Sequence, residues 1–271
     1  MLPESHADYH QLHMIVQEVV RRFGGERLLE ARFPGIINGA LDYVIDPVRT
    51  GRTTVSELDS IEKTFIGLKV EHFLRDELDV PQGVRDLRLA GMDVDIKNTV
   101  RSTWMIPPET FRGSEPCLLV MTATDAGHCS FGVMLARLEY LNAPNRDGKR
   151  SVSKPGKANI WWMLHKVSLP QSKFHGLNMG LFRSLREMKG GSARAASFFR
   201  EHIGRVTHRS VIEALLHDQK DPMKRLRMNG GAGDLLSKEG LHILSGMYDQ
   251  VELQSLGFED VLRDEFVCIR R

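Results

Sequence analysis

The sequence predicts two domains: an α/β or α+β domain with a mixed central sheet flanked by helices, followed by a mainly helical domain. Amphipathic helical patterns come first, short apolar and alternating runs typical of strands fill the middle, and helical patterns dominate the last part. The length of 271 residues suits one large or two ordinary domains. We expect the first domain over residues 1–165, a linker over 166–173 and the second domain over 174–271.

Apolar spacing marks three helices at the start of the chain. Residues 9–23 carry apolar side chains at i, i+3, i+4, i+7 and i+8 and end at Gly24-Gly25, and residues 27–44 form a second helix. Thr54 and Glu57 have the form of a capping box, which predicts a third helix of about 20 residues. Two rows of apolar residues run along the surface of this helix. The first is Leu58, Ile61, Phe65 and Leu68, and beside it lie Ile66, Val70, Phe73 and Leu74.

The middle of the chain predicts the sheet. Residues 117–122 are a continuous apolar run, typical of a buried central strand, and residues 131–140 predict another long strand. Pro107-Pro108 marks a rigid turn or loop, and residues 142–151 form a polar loop. The apolar residues 158–164 fit either a helix or a strand at the edge of the sheet.

Two alternating segments before this sheet predict a hairpin with a polar face. Asp93, Asp95 and Lys97 share one face of a short strand, because successive strand side chains alternate. A second alternating segment begins at Asp86, and Gly91 separates the two. If the chain folds back around Gly91, Asp86 lies opposite Lys97 and diagonal to Asp95, at spacings of roughly 5–8 Å.

This set of side chains suits the hydrolysis of a phosphodiester. Two carboxylates bind a hard divalent cation such as Mg²⁺, and a lysine beside them can orient a water molecule and offset anionic charge. Periodicity alone leaves Asp93 and Asp95 as rival ligands. Glu71, near the end of the third helix, either projects toward the same site or is a surface residue paired with a Lys or Arg.

The second domain predicts a helix-turn-helix. Helices are expected over residues 195–203 and 209–217, the latter capped by Thr207 or Ser210, and a third helix starts at Asp221-Pro222.

This third helix is basic, since it carries Lys224, Arg225 and Arg227, and it stops at a glycine-rich turn over residues 229–233. A helix, a short turn and a basic helix are typical of a motif that enters the major groove of DNA. The strand-like runs 241–244 and 265–269 would supply a wing.

The charge distribution favours a nucleic-acid partner. Residues 173–228 contain twelve Lys and Arg against five Asp and Glu, whereas residues 229–271 contain four against eight. The alternative interpretation of the basic segment is a solvated helical face.

Several other classes of protein are disfavoured by the sequence. There is no apolar run long enough to span a membrane, and residues 1–6 do not resemble a secretory signal. Cys117, Cys129 and Cys268 are too few and too widely spaced for a disulfide framework or a zinc site, so we expect reduced cysteines and a cytoplasmic protein. Neither a phosphate-binding loop, a zinc-binding histidine motif nor a serine-nucleophile elbow occurs.

The chain resembles the NaeI-like type II (type IIE) restriction endonucleases over most of its length. Motifs in the same order in both halves carry this resemblance: Arg49-Thr-Gly-Arg52, Glu62-Lys-Thr64, the helix of Glu71, Ala90-Gly91, Val94-Asp95-x-Lys97, Trp104-Met-x-Pro-Pro-Glu109, Ala143-x-Asn-Arg146, Gly204-Arg205, Met223-Lys-Arg225, Gly230-Gly-Ala232 and Glu239-Gly240.

The resemblance implies a homodimer whose subunits each have two domains. The N-terminal domain would have the restriction-endonuclease fold with a PD-(D/E)xK-type metal site. The C-terminal domain would have a CAP-like winged-helix fold that binds a second copy of DNA as an effector.

By motif, Asp86, Asp95 and Lys97 fall on the family's catalytic positions and Glu71 on its acidic helix position, which favours Asp95 over Asp93. Mg²⁺ would be held by the two aspartates and the backbone carbonyl of residue 96, which is Cys in the family and Ile96 here.

The resulting hypothesis is a Mg²⁺-dependent endonuclease that cleaves double-stranded DNA at a specific sequence. Lys97 would position the attacking water, and Lys224, Arg225 and Arg227 would contact DNA, chiefly its phosphates. One alternative is a repair-type nicking endonuclease similar to the MutH class, which acts as a monomer on one strand. Another is a non-cleaving regulator that binds DNA through the winged-helix half.

Overall fold

The computed structural model describes residues 2–271; Met1, at which the expected first domain begins, lies outside the described residues. The chain divides into two compact units. Unit 1 contains the residues up to Ile45 together with Thr54–Pro170, and unit 2 contains Asp46–Thr53 together with Gln171–Arg271. Within residues 2–271, no helix is both long enough and apolar enough to cross a membrane.

The helices, in chain order, are α1 (Tyr9–Phe23), α2 (Glu26–Ile45), α3 (Pro47–Thr50), α4 (Ser60–Leu78), α5 (Pro108–Phe111), α6 (Met179–Arg186), α7 (Gly191–Glu201), α8 (Arg209–Leu215), α9 (Ala232–Ser237) and α10 (Gln250–Ser255).

The strands are β1 (Leu87–Leu89), β2 (Met92–Thr99), β3 (Met105–Ile106), β4 (Pro116–Ala123), β5 (His128–Leu135), β6 (Leu141–Pro144), β7 (Arg150–Val152), β8 (Trp161–Ser168), β9 (Val206–His208), β10 (Leu241–Ser245) and β11 (Glu265–Arg270).

A five-stranded mixed sheet forms the centre of unit 1, as the sequence predicts. Its order is β1-β2-β4-β5-β8, in which β2 and β4 are parallel and all other neighbours are antiparallel. The apolar run 117–122 lies in the central strand β4. Residues 161–164, for which the sequence allowed a helix or an edge strand, begin the edge strand β8. Residues 138–140, expected to continue β5, form a separate 3-10 turn.

Alternating side chains of β4 face two different cores. Leu118 and Val120 pack into a core with apolar residues of α1, α2 and α4. Cys117 and Leu119 point the other way, into a core that includes residues of α5 and of a small antiparallel sheet, β3-β7-β6. The central sheet therefore carries the long helices on one face and the small sheet with α5 on the other.

The first two helices are confirmed, but the third differs from its prediction. The Thr54–Glu57 capping box forms, yet it caps only the 3-10 turn Val55–Glu57, because Leu58 is extended. Helix α4 begins at Ser60 behind a second capping box, Asp59 and Glu62. Its buried row is Ile66, Val70, Leu74 and Leu78, whereas Ile61, Phe65 and Leu68 are exposed.

Unit 2 surrounds a three-stranded antiparallel sheet of order β10-β11-β9, and β10 and β11 cover the two strand-like runs expected in this half. The expected helices near residues 195 and 209 are α7 and α8. The cap of α8 is His208, whose Nδ1 accepts the Ser210 N–H at 3.0 Å, rather than Thr207 or Ser210.

The basic third helix of the expected helix-turn-helix is not formed. Residues 223–226 make a single 3-10 turn, and Arg227 is extended. The glycine-rich segment that was expected to end a helix precedes α9 instead, because the Asp234 carboxylate accepts the N–H groups of Asn229 and Gly230 and fixes the chain there.

The segment 46–53 belongs to unit 2, although the sequence analysis placed it in the first domain. The buried guanidinium of Arg186, on α6, donates to the carbonyl oxygens of Pro47 at 3.4 Å, Val48 at 3.1 Å and Ala214. These bonds join α3 and α8 through one side chain. Because burial removes the guanidinium from water, the pKa of Arg186 is lowered from its usual value.

Replacing Arg186 with Met should destabilise the protein, because three carbonyl oxygens lose their donor while the apolar stem is kept. We expect a loss of about 2–4 kcal/mol in the free energy of unfolding. Urea denaturation followed by circular dichroism would measure it, with the exposed Lys189→Met as the matched control. Equal midpoints for the two variants would show that Arg186 does not link these elements.

Candidate active site

A tight hairpin carries the first candidate residue to the sheet. Leu87 pairs with Val94 and Leu89 with Met92, so Ala90 and Gly91 form a two-residue turn, both at positive φ (49° and 79°). Continuing this register sets Asp86 across from Asp95, not across from Lys97 as the sequence suggested. The difference is two residues, and side chains alternate with a period of two, so Asp86 stays on the expected face.

The carboxylate of Asp95 is the best-held group of the site. Asp95 is only 3% exposed. Its Oδ1 accepts a hydrogen bond from Lys97 Nζ, and its Oδ2 accepts one from the Thr110 hydroxyl at 2.7 Å. A buried carboxylate is tolerated where it is paired and hydrogen-bonded, and these two donors meet that need.

Asp86 lies close to Asp95 and has an unusual proton affinity. Burial and a hydrogen bond with the Asp95 carboxyl group raise the pKa of Asp86 to about 7. The Ile96 N–H donates to Asp86 Oδ2 at 2.6 Å, and this hydrogen bond lowers the pKa of Asp86. The structure thus brings together two carboxyl groups, and the pKa of one of them, Asp86, is raised toward neutral pH.

The Lys97 ammonium lies among three oxygen groups. Besides Asp95, its Nζ is 3.2 Å from the Ile96 carbonyl oxygen and 4.0 Å from Asp86 Oδ2. These oxygens therefore converge around one centre of positive charge. All are hard oxygen donors, and a divalent cation would satisfy both carboxylates, so the residues fit a Mg²⁺-type ion.

Asp93 has a structural role that separates it from Asp95. Its Oδ1 accepts the Val84 N–H at 2.7 Å and so fixes the loop that leads to Asp86. Gly83 is required in this loop, since a Cβ there would lie 2.4 Å from Asp93 Oδ1. Asp93 is therefore engaged by the loop, whereas Asp95 contacts Lys97, and the choice of Asp95 as a ligand stays a prediction.

Glu71 does not hydrogen-bond to Asp86, Asp95 or Lys97. It lies on α4, which packs against β2, and its half-buried side chain makes no hydrogen bond or ion pair with any residue between 2 and 271. In this same range, no three His, Cys, Asp or Glu side chains are close enough to hold a metal ion, so Glu71 does not form such a group with Asp86 and Asp95. Its role remains a prediction.

Two residues that the sequence analysis missed position the site. Thr110 lies on the one-turn helix α5, which Pro108 begins, and is fully buried against Asp95. Arg85, next to Asp86, pairs with Glu115 at 2.6 Å and donates to the Glu109 carbonyl at 2.7 Å. Pro107-Pro108 signals a turn, but nothing in the sequence indicates that the turn delivers a hydroxyl to Asp95.

The three basic residues expected to bind DNA lie together in unit 2. Lys224 and Arg227 are exposed, whereas Arg225 is half-buried and its Nε has no hydrogen-bond partner within residues 2–271.

The mixed sheet and a hairpin that presents two carboxylates beside a lysine are compatible with a restriction-endonuclease-like nuclease. Residues 25–271 match the family described as restriction endonuclease NaeI. The chain is 32% identical over 222 residues to the type II restriction enzyme NaeI of Lentzea aerocolonigenes, a match that covers 79% of this chain and 69% of that relative. The chain therefore belongs to the restriction endonuclease NaeI family, a class of site-specific deoxyribonucleases, as the resemblance predicts.

Removing the Thr110 hydroxyl should slow catalysis without unfolding the protein. Thr110→Val keeps the buried volume but leaves Asp95 Oδ2 without its donor, and we expect the single-turnover rate of DNA cleavage to fall roughly 10- to 100-fold. Thr110→Ser restores a hydroxyl and should recover most of the rate. A Val variant that cleaves as fast as the unaltered protein would remove Thr110 from the site.

The raised pKa of Asp86 predicts how stability depends on pH in metal-free buffer. Between the unfolded value near 4 and the folded value of about 7, the folded state holds a proton that the unfolded state releases. This contribution to stability is therefore lost as pH rises through that window. Asp86→Asn should remove it, so the variant gains stability relative to the unaltered protein between pH 5 and pH 7.5.

Urea denaturation with a chelator at several pH values measures this difference. Asp125→Asn, at an exposed aspartate of unit 1, is the matched control. If Asp86→Asn and Asp125→Asn follow the same pH dependence, Asp86 does not hold the proton.

Proposed function

We propose that the protein is a Mg²⁺-dependent type II restriction endonuclease that hydrolyses phosphodiester bonds in both strands of a specific DNA sequence. The observation that carries this proposal is the convergence of Asp86, Asp95 and Lys97 on one face of the β1–β2 hairpin. Membership of the NaeI family supports the choice of DNA as substrate.

In this proposal, Asp86, Asp95 and the Ile96 carbonyl hold the cation. When bound, Mg²⁺ supplies positive charge to the phosphate and lowers the pKa of water at the site. Loading requires that Asp86 give up its proton, so cation binding strengthens as pH rises toward 7 and above.

Lys97 orients the attacking water and offsets the negative charge that develops on the phosphate. Its ammonium is already fixed by Asp95 and the Ile96 carbonyl, so little reorganisation accompanies the reaction. The water oxygen forms a new bond to phosphorus as the bond from phosphorus to a sugar oxygen breaks. The attacking water loses a proton to solvent, and the sugar oxygen takes up a proton from solvent and leaves as a hydroxyl. Thr110 keeps Asp95 in place throughout.

Glu71 is proposed as a further acidic residue of the reaction. A half-buried carboxylate without a partner has a free hydrogen-bonding capacity that a water molecule at the site can use. Its position on α4, against the strand that bears Asp95 and Lys97, supports this role.

Unit 2 is proposed as a winged-helix domain that binds a second copy of DNA as an effector. The succession of α7, β9, α8, α9, β10 and β11, with β11 in the middle of the sheet, supports this fold. Lys224, Arg225 and Arg227 would contact phosphates there, chiefly through the exposed Lys224 and Arg227. Each phosphate contact releases counterions, so this binding should weaken with salt.

A homodimer is proposed because one site of this kind hydrolyses one strand at a time. Two copies related by a two-fold axis would cut both strands of a symmetric sequence.

The decisive experiment is incubation of long unmodified DNA with the protein and Mg²⁺. We expect discrete fragments, whereas Lys97→Ala and Asp95→Asn should lower the rate by a factor of roughly 10³ or more. Lys69→Ala, at a lysine whose ammonium lies 3.8 Å over the Tyr43 ring on the surface, is the matched control and should cut normally. No cleavage with any divalent metal would overturn the proposal.

The same assay on supercoiled plasmid separates the alternatives. Linear product supports a dimer that cuts both strands, whereas accumulation of nicked circles would favour a MutH-like enzyme. A regulator that binds without cleaving would leave DNA intact and be unaffected by Asp95→Asn. Lys224→Gln with Arg227→Gln should abolish stimulation by added target DNA while leaving basal cleavage, and unchanged stimulation would overturn the effector role of unit 2.

A further inference from the structure

A basic hairpin lies on the same face of the central sheet as Asp95 and Lys97. Strands β6 and β7 are joined by a loop over residues 145–149. Between residues 142 and 157 there are five Lys or Arg and one Asp. In the sequence, this region is a polar loop that contains the Ala143-x-Asn-Arg146 motif of the family resemblance.

Three of these basic side chains are not used within the fold. Arg146, Lys149 and Lys154 are exposed, and none of their side chains forms a hydrogen bond or ion pair with a residue between 2 and 271. Some other arginines of unit 1 pair with acids, as Arg85 does with Glu115 and Arg137 with Asp8. The hairpin and the residues just after it thus present three unpaired positive charges within residues 146–154.

The tip of the hairpin is fixed by its own hydrogen bonds. The Asn145 side-chain oxygen accepts the N–H groups of Asp147 at 3.0 Å and Lys149 at 2.9 Å, and the Asn145 N–H donates to the Lys149 carbonyl at 2.8 Å. Arg150 Nη1 donates to the Asn142 carbonyl at 3.0 Å, across the two strands. Arg146 and Lys149 therefore project from an ordered turn, which lowers the entropic cost of binding.

The hairpin also packs on α5, the helix whose Thr110 hydroxyl donates to Asp95. The Arg150 guanidinium lies 5.5 Å from the centre of the Phe111 ring. A Cβ on Gly148 would lie 3.4 Å from Pro108 Cγ. Pro108 and Phe111 flank Thr110 on α5, and Thr110 donates to Asp95. A ligand held by the hairpin is therefore held next to the reacting centre.

We propose that the hairpin 141–152 reads the DNA sequence in the major groove beside the phosphate that is cut. A two-stranded ribbon fits this groove, and an arginine at its tip can donate two hydrogen bonds to a guanine. Arg146 is assigned this base contact, while Lys149 and the adjacent Lys154 contact phosphates. The inference rests on the proposed function, since it takes duplex DNA as the substrate.

The test compares three proteins: Arg146→Gln, the double variant Lys149→Gln/Lys154→Gln, and the control Arg27→Gln. Arg27 is an exposed residue of α2, which packs on the opposite face of the sheet. Sequencing the ends of fragments from genomic DNA gives the selectivity of each variant. Titration of target and unrelated duplexes at several salt concentrations, in a Lys97→Ala background that does not cut, gives the affinity.

Arg146→Gln should relax selectivity at one base position and weaken target binding by roughly 5- to 150-fold relative to unrelated DNA. The double lysine variant should weaken binding to all duplexes alike and lower the salt dependence by about two phosphate contacts. Arg27→Gln should change neither quantity.

Unchanged selectivity and affinity in Arg146→Gln would overturn the assignment. So would a slower cut at unchanged affinity and selectivity, which would indicate that the hairpin only supports Thr110. Failure of the unaltered protein to cut DNA would overturn the proposed function instead. The binding titration does not require cleavage, so it would still decide whether the hairpin reads DNA.

Discussion

The buried carboxylate of Asp95 is the constraint on which unit 1 depends. Removing a charge from water costs several kcal/mol unless it is paired and hydrogen-bonded. Lys97 supplies the charge from the same strand, Thr110 supplies a hydroxyl from α5, and Asp86 adds a hydrogen bond from the segment before β1. Three elements must therefore be in place together before this group is tolerated, and the same requirement gathers the chemical groups at one point.

The sheet makes that arrangement rigid. Strand β2 pairs with β1 in antiparallel fashion over residues 92–94 and with β4 in parallel fashion over residues 95–99, so β4 fixes the backbone that carries Asp95 and Lys97. Its alternation sends Val94 and Ile96 into the core with the long helices and the charged residues to the opposite face. That opposite face is the one that α5 and the small sheet cover, and both the support for Asp95 and the basic hairpin arise there.

The sequence predicts those parts of the site that depend on local periodicity. Alternation alone assigned Asp95 and Lys97 to one face, and a turn at Gly91 brought Asp86 back to it. The register was wrong by two residues because it is set by the two-residue turn geometry, which the sequence analysis did not specify. Thr110 was missed because it meets Asp95 through tertiary packing. The predicted basic helix at Lys224 is wrong for a related reason. The Asp234 carboxylate, later in the chain, accepts the Asn229 N–H and fixes the chain after a single 3-10 turn.

The insertion of residues 46–53 into unit 2 has a consequence for synthesis of the protein. This segment leaves the ribosome roughly 140 residues ahead of Arg186, which binds it, a delay on the order of 7–28 s at the usual rates of translation. During that time, α3 has no partner, and the carbonyls that Arg186 later binds are open to solvent. The strands of unit 1 can pair first. Unit 2 can fold completely only after α6 and α8 have been synthesised and can pack against residues 46–53.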